Sequence, residues 1–86
     1  MIYIFNDRSW AEYLYWQKTD KGTLRKINGL LKAISRDPFK GPGRPEQLKY
    51  DLAGLWSRRI DREHRLVYKV IDDQNRIISC RFHYDG

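Results

Sequence analysis

Two side chains of this sequence could transfer protons, and cationic side chains lie close to both along the chain. Glu46 follows a segment rich in glycine and proline, with Lys49 just beyond it, and His83 precedes Tyr84 near the end of the sequence. A carboxylate and an imidazole commonly serve as general base and general acid. Cationic side chains stabilise negative charge that develops during a reaction. The candidate chemistry is therefore proton transfer beside an anion.

Each of these candidates also has an ordinary structural explanation. Glu46 follows Pro45, where a carboxylate is more often a loop or first-turn residue, and histidines near a chain end are frequently inert. Arg59 and Arg65 could be plain surface charges of a sheet, and Arg58 could replace Arg59 if the strand register shifted by one residue. The interpretation therefore depends on which elements bring these side chains together.

Other residues with reactive or stacking side chains are assigned to structure. His64, in the segment REHR, is interpreted as a turn or surface residue. Cys80 is interpreted as a small apolar residue of the core and not as a nucleophile. The tryptophans follow the helix and strand periods and are assigned to packing: Trp10, Trp16 and Trp56.

The first half of the chain predicts one strand and two helices. Residues 2–5 form the strand, and Ser9 and Glu12 then have the S-x-x-E spacing of a capping box, with Asp7 as a competing cap. A second helix follows the cap signal at Asp20 and ends before a proline. Its apolar positions recur at three- and four-residue steps: Leu24, Ile27, Leu31 and Ile34.

The second half predicts a loop and three antiparallel strands. The segment KGPGRP holds too many breakers for a helix or central strand, and it lacks the spacing of a nucleotide-binding P-loop. Three runs rich in Ile, Val, Tyr, Phe and Trp follow, separated by the turn signals DRE and DDQN. These runs are Leu55 to Ile60, Leu66 to Ile71 and Arg76 to Tyr84.

Alternation along the three strands separates an apolar face, which should pack on the helices, from a cationic face. The apolar face comprises Trp56, Ile60, Leu66, Tyr68, Val70, Ile78, Cys80 and Phe82. The cationic face comprises Ser57, Arg59, Arg65, Val67, Lys69, Ser79, Arg81 and His83. Solvated sheet faces are often charged as well, so alternation alone does not identify a binding surface.

Composition limits the class of protein. The 86 residues suffice for one domain, 1–86, and their formal net charge of +6 favours a polyanionic partner. No apolar stretch is long enough to span a membrane and no secretory signal is visible, so we expect a cytoplasmic protein without a membrane partner. One Cys and two His are too few for a Cys/His zinc site, and we expect neither a metal nor another cofactor.

Ordered motifs over nearly the whole chain resemble the YoeB toxins of the RelE-like toxin superfamily. They are EYLYWQKTDK, RDPFKGPGRPEQLKYDLAGLWSRRIDREHRLVY and the closing CRFHY. The resemblance implies an α+β fold with two N-terminal helices on one face of a small antiparallel sheet and the active site on the other. The chain departs from the family at Phe82, which should pack on the apolar face, and at the added Asp85 and Gly86.

The resemblance also implies a function, that of a ribosome-dependent endoribonuclease which cuts mRNA in the A site of the 70S ribosome. Such toxins are neutralised by a YefM-like antitoxin, and a homodimer is expected. Glu46 would be the base, His83 the acid and Arg65 the main phosphate contact. The implied substrate-binding residues are Lys49, Arg59 and Tyr84.

Two other functions would also explain the positive charge of the chain. A noncatalytic RNA- or DNA-binding module would explain the cationic face without using Glu46 or His83. A structural domain whose basic surface binds an acidic protein would need no RNA. Cleavage of translated mRNA separates the toxin from both alternatives.

Overall fold

The computed structural model describes residues 1–83 and places two helices on one face of a five-stranded sheet. Its elements are β1 (Ile2–Phe5), α1 (Asp7–Thr19), α2 (Lys21–Arg36), β2 (Glu46–Gln47), β3 (Trp56–Arg59), β4 (Arg65–Ile71) and β5 (Gln74–Ser79). The strand order is β1-β5-β4-β3-β2. Within the described range, no helix is long and apolar enough to cross a membrane.

The predicted α+β fold is confirmed, but the sheet is mixed where an antiparallel one was expected, and it has one strand more than predicted. Strands β2 to β5 pair antiparallel, whereas β1 pairs with β5 in parallel. Strand β2 was not predicted, because its two residues are too few to show a period. It pairs with β3 only through Glu46 opposite Ser57 and Gln47 opposite Trp56.

The first helix begins earlier than its predicted capping box. Asn6 is the cap: its side-chain oxygen accepts from the Ser9 N–H at 2.7 Å, and the Ser9 hydroxyl accepts from the Asn6 N–H at 3.0 Å. The expected start at Ser9 or Asp7 is therefore wrong, because Ser9 completes the box from inside the helix. The predicted cap of α2 is confirmed, since the Asp20 carboxylate accepts from the Thr23 N–H at 3.0 Å.

The apolar face of the sheet packs on the helices as predicted, except in β5. Tyr68 lies opposite Ile77 and Val67 lies opposite Ser79, so Ile78 occupies a break in the register. Such a β-bulge places an extra residue in one strand and reverses the alternation beyond it. Ile77, 1% exposed, therefore takes the core position that was wrongly predicted for Ile78.

Of the tryptophans assigned to packing, two lie in or against the core. Trp16 is buried and Trp56 is partly buried against the same cluster. Trp10 packs on the rings of Phe5 and Tyr13 but keeps 48% of its surface exposed. The helix period therefore predicted that Trp10 packs on its neighbours, but Trp10 is less buried than that prediction implied.

A buried arginine connects the sheet to the loop between α2 and β2. Arg58 is fully buried, and its guanidinium donates to the Tyr68 hydroxyl at 3.1 Å. It also donates at 2.7–3.2 Å to three loop carbonyls, those of Asp37, Lys40 and Pro42. Because Arg58 lies on the core side of β3, it cannot replace Arg59 on the cationic face.

Gly43 brings this loop back to the sheet. Its carbonyl accepts from the Arg59 N–H at 2.6 Å, and its φ of +88° is a conformation that favours glycine. An added Cβ would lie 2.9 Å from a methyl carbon of Leu30 and 3.0 Å from Cβ of Arg58. The segment KGPGRP is therefore a fixed loop that delivers the chain to Glu46.

We expect Gly43→Ala to lower the free energy of unfolding by about 1–3 kcal/mol, from backbone strain and overpacking together. Urea denaturation monitored by tryptophan fluorescence would measure the change. Gly29→Ala is the matched control: Gly29 lies inside α2, and an added Cβ there would meet nothing within 4 Å. The free energy of unfolding of this control should rise by about 0.5–1 kcal/mol. If Gly43→Ala were as stable as the parent, the close approach of Gly43 to Leu30 and Arg58 would be contradicted.

Candidate catalytic site

The register of the sheet brings the predicted catalytic carboxylate onto the cationic face. Glu46 lies opposite Ser57, Ser57 lies opposite Val67, and Val67 lies opposite Ser79. Side chains directly opposite one another in a sheet point to the same side, with Cβ atoms about 4.5–5.5 Å apart. These four residues therefore form a row across β2, β3, β4 and β5 on the face away from the helices, which we call the site face.

Two of the predicted cations, Arg59 and Arg65, form the next row on the site face. Arg59 lies opposite Arg65, two residues from Ser57 and Val67 in the respective strands. Two residues of a strand span about 7 Å, within the reach of an arginine side chain. The site face thus places a carboxylate and two guanidinium groups around a common area.

His83 meets Arg65 directly. The Arg65 guanidinium donates from Nε at 3.3 Å and approaches from Nη2 at 3.1 Å, in both cases to Nε2 of His83. A guanidinium has donors only, so Nε2 of His83 is the acceptor of this contact. The structure therefore joins two of the predicted catalytic side chains, which lie 18 positions apart in the chain.

Exposure differs among the residues of the site face. Ser57, Val67 and Ser79 are buried, although they lie on the side away from the helices. Glu46 and His83 are exposed at the two sides of this floor. Arg59 and Arg65 are partly buried between them. Glu46 and His83 are therefore accessible, whereas the row of small residues between them is covered.

The remaining substrate-binding predictions are not decided by this geometry. Lys49 is exposed just beyond β2, and its role stays a prediction. Tyr84 lies outside the described residues 1–83, as do Asp85 and Gly86.

A carboxylate, an imidazole and cations around one open surface are the groups needed for proton transfer at a phosphate. The family model described as "YoeB-like toxin of bacterial type II toxin-antitoxin system" matches residues 5–84. The chain belongs to the YoeB toxin family.

Similar sequences and structures extend over nearly the whole chain. It is 56% identical to Toxin YoeB of Escherichia coli K12, over 98% of this chain and 100% of that protein. It is 59% identical to Toxin YoeB of a Synechocystis strain, over 93% of each. The resemblance inferred from sequence motifs is confirmed.

Solved structures match the fold closely. A YoeB/ParE toxin from Agrobacterium tumefaciens superimposes with a TM-score of 0.95 at 48% identity, over 98% of this chain and 100% of that one. A YoeB dimer and a heterotetrameric YoeB–YefM complex, both from Staphylococcus aureus, each give a TM-score of 0.92 at 46% identity over 98% of both chains.

Beyond β5, two residues of this YoeB-family chain lie where alternation did not predict them. Arg81 was expected on the site face, but its guanidinium lies 3.7 Å over the Tyr15 ring of α1. Phe82 was expected to pack on the apolar face, but it is 50% exposed and has a φ of +69°. Both predictions are wrong because β5 ends at Ser79, after which strict alternation no longer applies.

His64 is the residue that the sequence interpretation most undervalued. It is only 8% exposed, so its interpretation as a surface residue is wrong. Its Nδ1 accepts from the Phe82 N–H at 2.7 Å, one residue before His83. The two histidines are far apart in the chain, and no local sequence pattern indicates this contact.

Cys80 is a buried structural residue, as predicted. Its N–H donates to a Glu12 carboxylate oxygen at 2.8 Å, and its carbonyl accepts from the Trp16 indole at 2.9 Å. Burial, with a smaller contribution from the Glu12 charge, raises the pKa of the Cys80 thiol to about 12. The thiol therefore keeps its proton at neutral pH and is a poor nucleophile.

We expect Cys80 of the folded protein to resist thiol reagents at pH 8. Its raised pKa reduces the thiolate fraction at least about 10²-fold relative to the unfolded chain, and its burial blocks access besides. Absorbance during reaction with an aromatic disulfide, with and without urea, would measure the two rates. Rapid labelling of the folded protein would contradict the burial. Above pH 9 the unfolded state loses this proton first, so stability should fall as pH rises.

Proposed function

We propose that this chain is a ribosome-dependent endoribonuclease that cuts mRNA in the ribosomal A site by metal-independent acid–base catalysis. The observation that carries the proposal is the grouping of Glu46, Arg65 and His83 on the site face, with the Arg65–His83 contact at 3.1 Å. Membership of the YoeB family supports the same reaction. A noncatalytic binding module would need the cations but not the carboxylate and imidazole beside them.

The reaction uses the 2′-hydroxyl of the RNA as its nucleophile. The Glu46 carboxylate removes the 2′-hydroxyl proton, and O2′ attacks the adjacent phosphorus. The P–O5′ bond breaks as His83 transfers a proton to the leaving 5′-oxygen. The products are a 2′,3′-cyclic phosphate, or the 3′-phosphate after its hydrolysis, and a 5′-hydroxyl.

Arg65 has two tasks in this scheme. Without RNA it donates to Nε2 of His83 and occupies the lone pair that must carry the transferred proton. A bound phosphate offers anionic oxygens, which make stronger charge-assisted hydrogen bonds than a neutral imidazole does. Arg65 therefore turns to the phosphate and stabilises the phosphorane with Arg59. Nε2 of His83 then takes up a proton from solvent and transfers it to the leaving 5′-oxygen.

We further propose a YefM-like antitoxin and a homodimer as the protein partners. The Staphylococcus aureus relatives were solved as a YoeB dimer and as a YoeB–YefM heterotetramer. A net charge of +6 favours association with an acidic segment that folds on binding. Such a segment would inhibit the toxin by covering or distorting the site face.

We expect Glu46→Gln and His83→Ala each to lower single-turnover cleavage on programmed ribosomes by roughly 10²–10⁴-fold. Arg65→Ala should cause a similar loss and should also weaken ribosome binding, because it removes a phosphate contact. Lys49→Ala and Tyr84→Ala should be milder, since neighbours share their tasks. Arg36→Ala removes an exposed charge at the far end of α2 and serves as the control. Cleavage within about threefold of the parent by both acid–base variants would refute the mechanism.

We expect the purified protein to cut naked mRNA poorly. The few cations of the site face cannot by themselves hold a flexible RNA with O2′ in line with the leaving oxygen, so the ribosome supplies much of that positioning. Cleavage would be compared on free mRNA and on ribosomes with a filled P site. Equal rates would contradict ribosome dependence while leaving the acid–base assignment intact.

A further inference from the structure

The segment that carries His83 lies beyond the regular ladder of the sheet and is held by a few individual contacts. β5 ends at Ser79, and the next three residues leave the regular ladder. Cys80 is held from α1, through its hydrogen bonds with Glu12 and Trp16. Phe82 is held from the turn before β4. His83 directly follows Phe82, so the contacts that hold the Phe82 backbone also restrict where the His83 side chain can lie.

His64 makes the side-chain contact with Phe82. Its Nδ1 accepts from the Phe82 N–H at 2.7 Å, and its ring packs edge-on against Trp16 at a centroid distance of 4.8 Å. Its Nε2 lies 3.5 Å from a carboxylate oxygen of Glu63. Because Nδ1 accepts, the ring proton of neutral His64 must lie on Nε2, toward that carboxylate. One tautomer of His64 alone fits this arrangement.

The backbone at Phe82 needs this support. Its φ of +69° is uncommon for a residue with a side chain and persists only where surrounding contacts hold it. The Phe82 carbonyl accepts from the Arg65 N–H at 3.1 Å, while its N–H is bound by His64. Two consecutive residues, 64 and 65, therefore hold Phe82 at both of its backbone polar groups.

We propose that His64 is a positioning residue for catalysis, which acts through the Phe82 backbone to hold the His83 imidazole at Arg65. His64 does not touch the RNA in this role. The inference rests on the proposed function, in which His83 is the general acid. A proton donor that shifts by about 1 Å can cost roughly 10²-fold in rate, so loss of one backbone hydrogen bond has a measurable effect.

Two substitutions of nearly equal shape test whether the hydrogen-bond acceptor at position 64 is needed. Asn at position 64 places its carbonyl oxygen where Nδ1 of histidine lies, whereas Leu has the same branching without an acceptor. Both lose the ring contact with Trp16, so the difference between them reports the hydrogen bond. We expect His64→Leu to lower the single-turnover cleavage rate on ribosomes by about 10–100-fold with little change in half-saturating ribosome concentration. His64→Asn should recover most of that rate.

Two NMR measurements on the full chain test the contact without any cleavage assay. The ring nitrogens of His64 in the parent should show the tautomer with the proton on Nε2. The Phe82 amide should exchange slowly with solvent in the parent and in His64→Asn, and faster in His64→Leu. A proton on Nδ1, or rapid exchange in the parent, would overturn the proposal even if both variants failed to fold.

The cleavage outcomes separate this inference from the proposed function. Urea denaturation would first establish conditions in which both variants are folded. If His83→Ala is inactive but His64→Leu and His64→Asn cut at equal rates, His64 has no positioning role and the mechanism stands. If His83→Ala cuts mRNA as fast as the parent, His83 is not the general acid. The proposed role of His64 is then wrong as well.

Discussion

The guanidinium of Arg58 is a buried positive charge whose hydrogen-bond acceptors are neutral oxygens. Removing such a group from water costs several kcal/mol, which only well-placed acceptors can offset. Here the acceptors are the Tyr68 hydroxyl and carbonyls of the loop after α2, and Tyr68 in turn donates to the Pro38 carbonyl at 2.6 Å. The loop cannot move away without leaving the charge unpaired. This constraint fixes the path of the chain into β2, and through β2 the position of Glu46.

The two side chains that we propose transfer protons are thus held by separate supports. Glu46 depends on the loop that Arg58 organises, whereas His83 follows a segment bound by α1 and by His64. Arg65 lies between them on β4, a strand with a neighbour on each side. In the proposed mechanism, the strand keeps the backbone of Arg65 in place while its side chain turns from His83 to the phosphate.

The sequence predicted best those parts of the structure that depend on contacts between residues close together in the chain. Strand and helix periods identified both helices, the two central strands and the placement of Arg59 and Arg65, because those patterns are local. Glu46 required the motif resemblance, since a two-residue strand has no period of its own. The errors at Ile78, Arg81 and Phe82 come from a bulge and a strand end, where alternation fails. His64 was misjudged because its partner is a distant backbone N–H.

The parallel pairing of β1 with β5 has a consequence for how the toxin is made. Among residues 1–83, β1 is the first strand along the chain and its partner β5 is the last, so this pairing closes a loop that contains the elements between them. Contacts between such distant segments are slow to form. A nascent chain that lacks β5 and the residues up to His83 has neither a complete sheet nor a paired Arg65. If the proposed function is right, the groups assigned to catalysis therefore come together only after β5 and residues 80–83 have been synthesised.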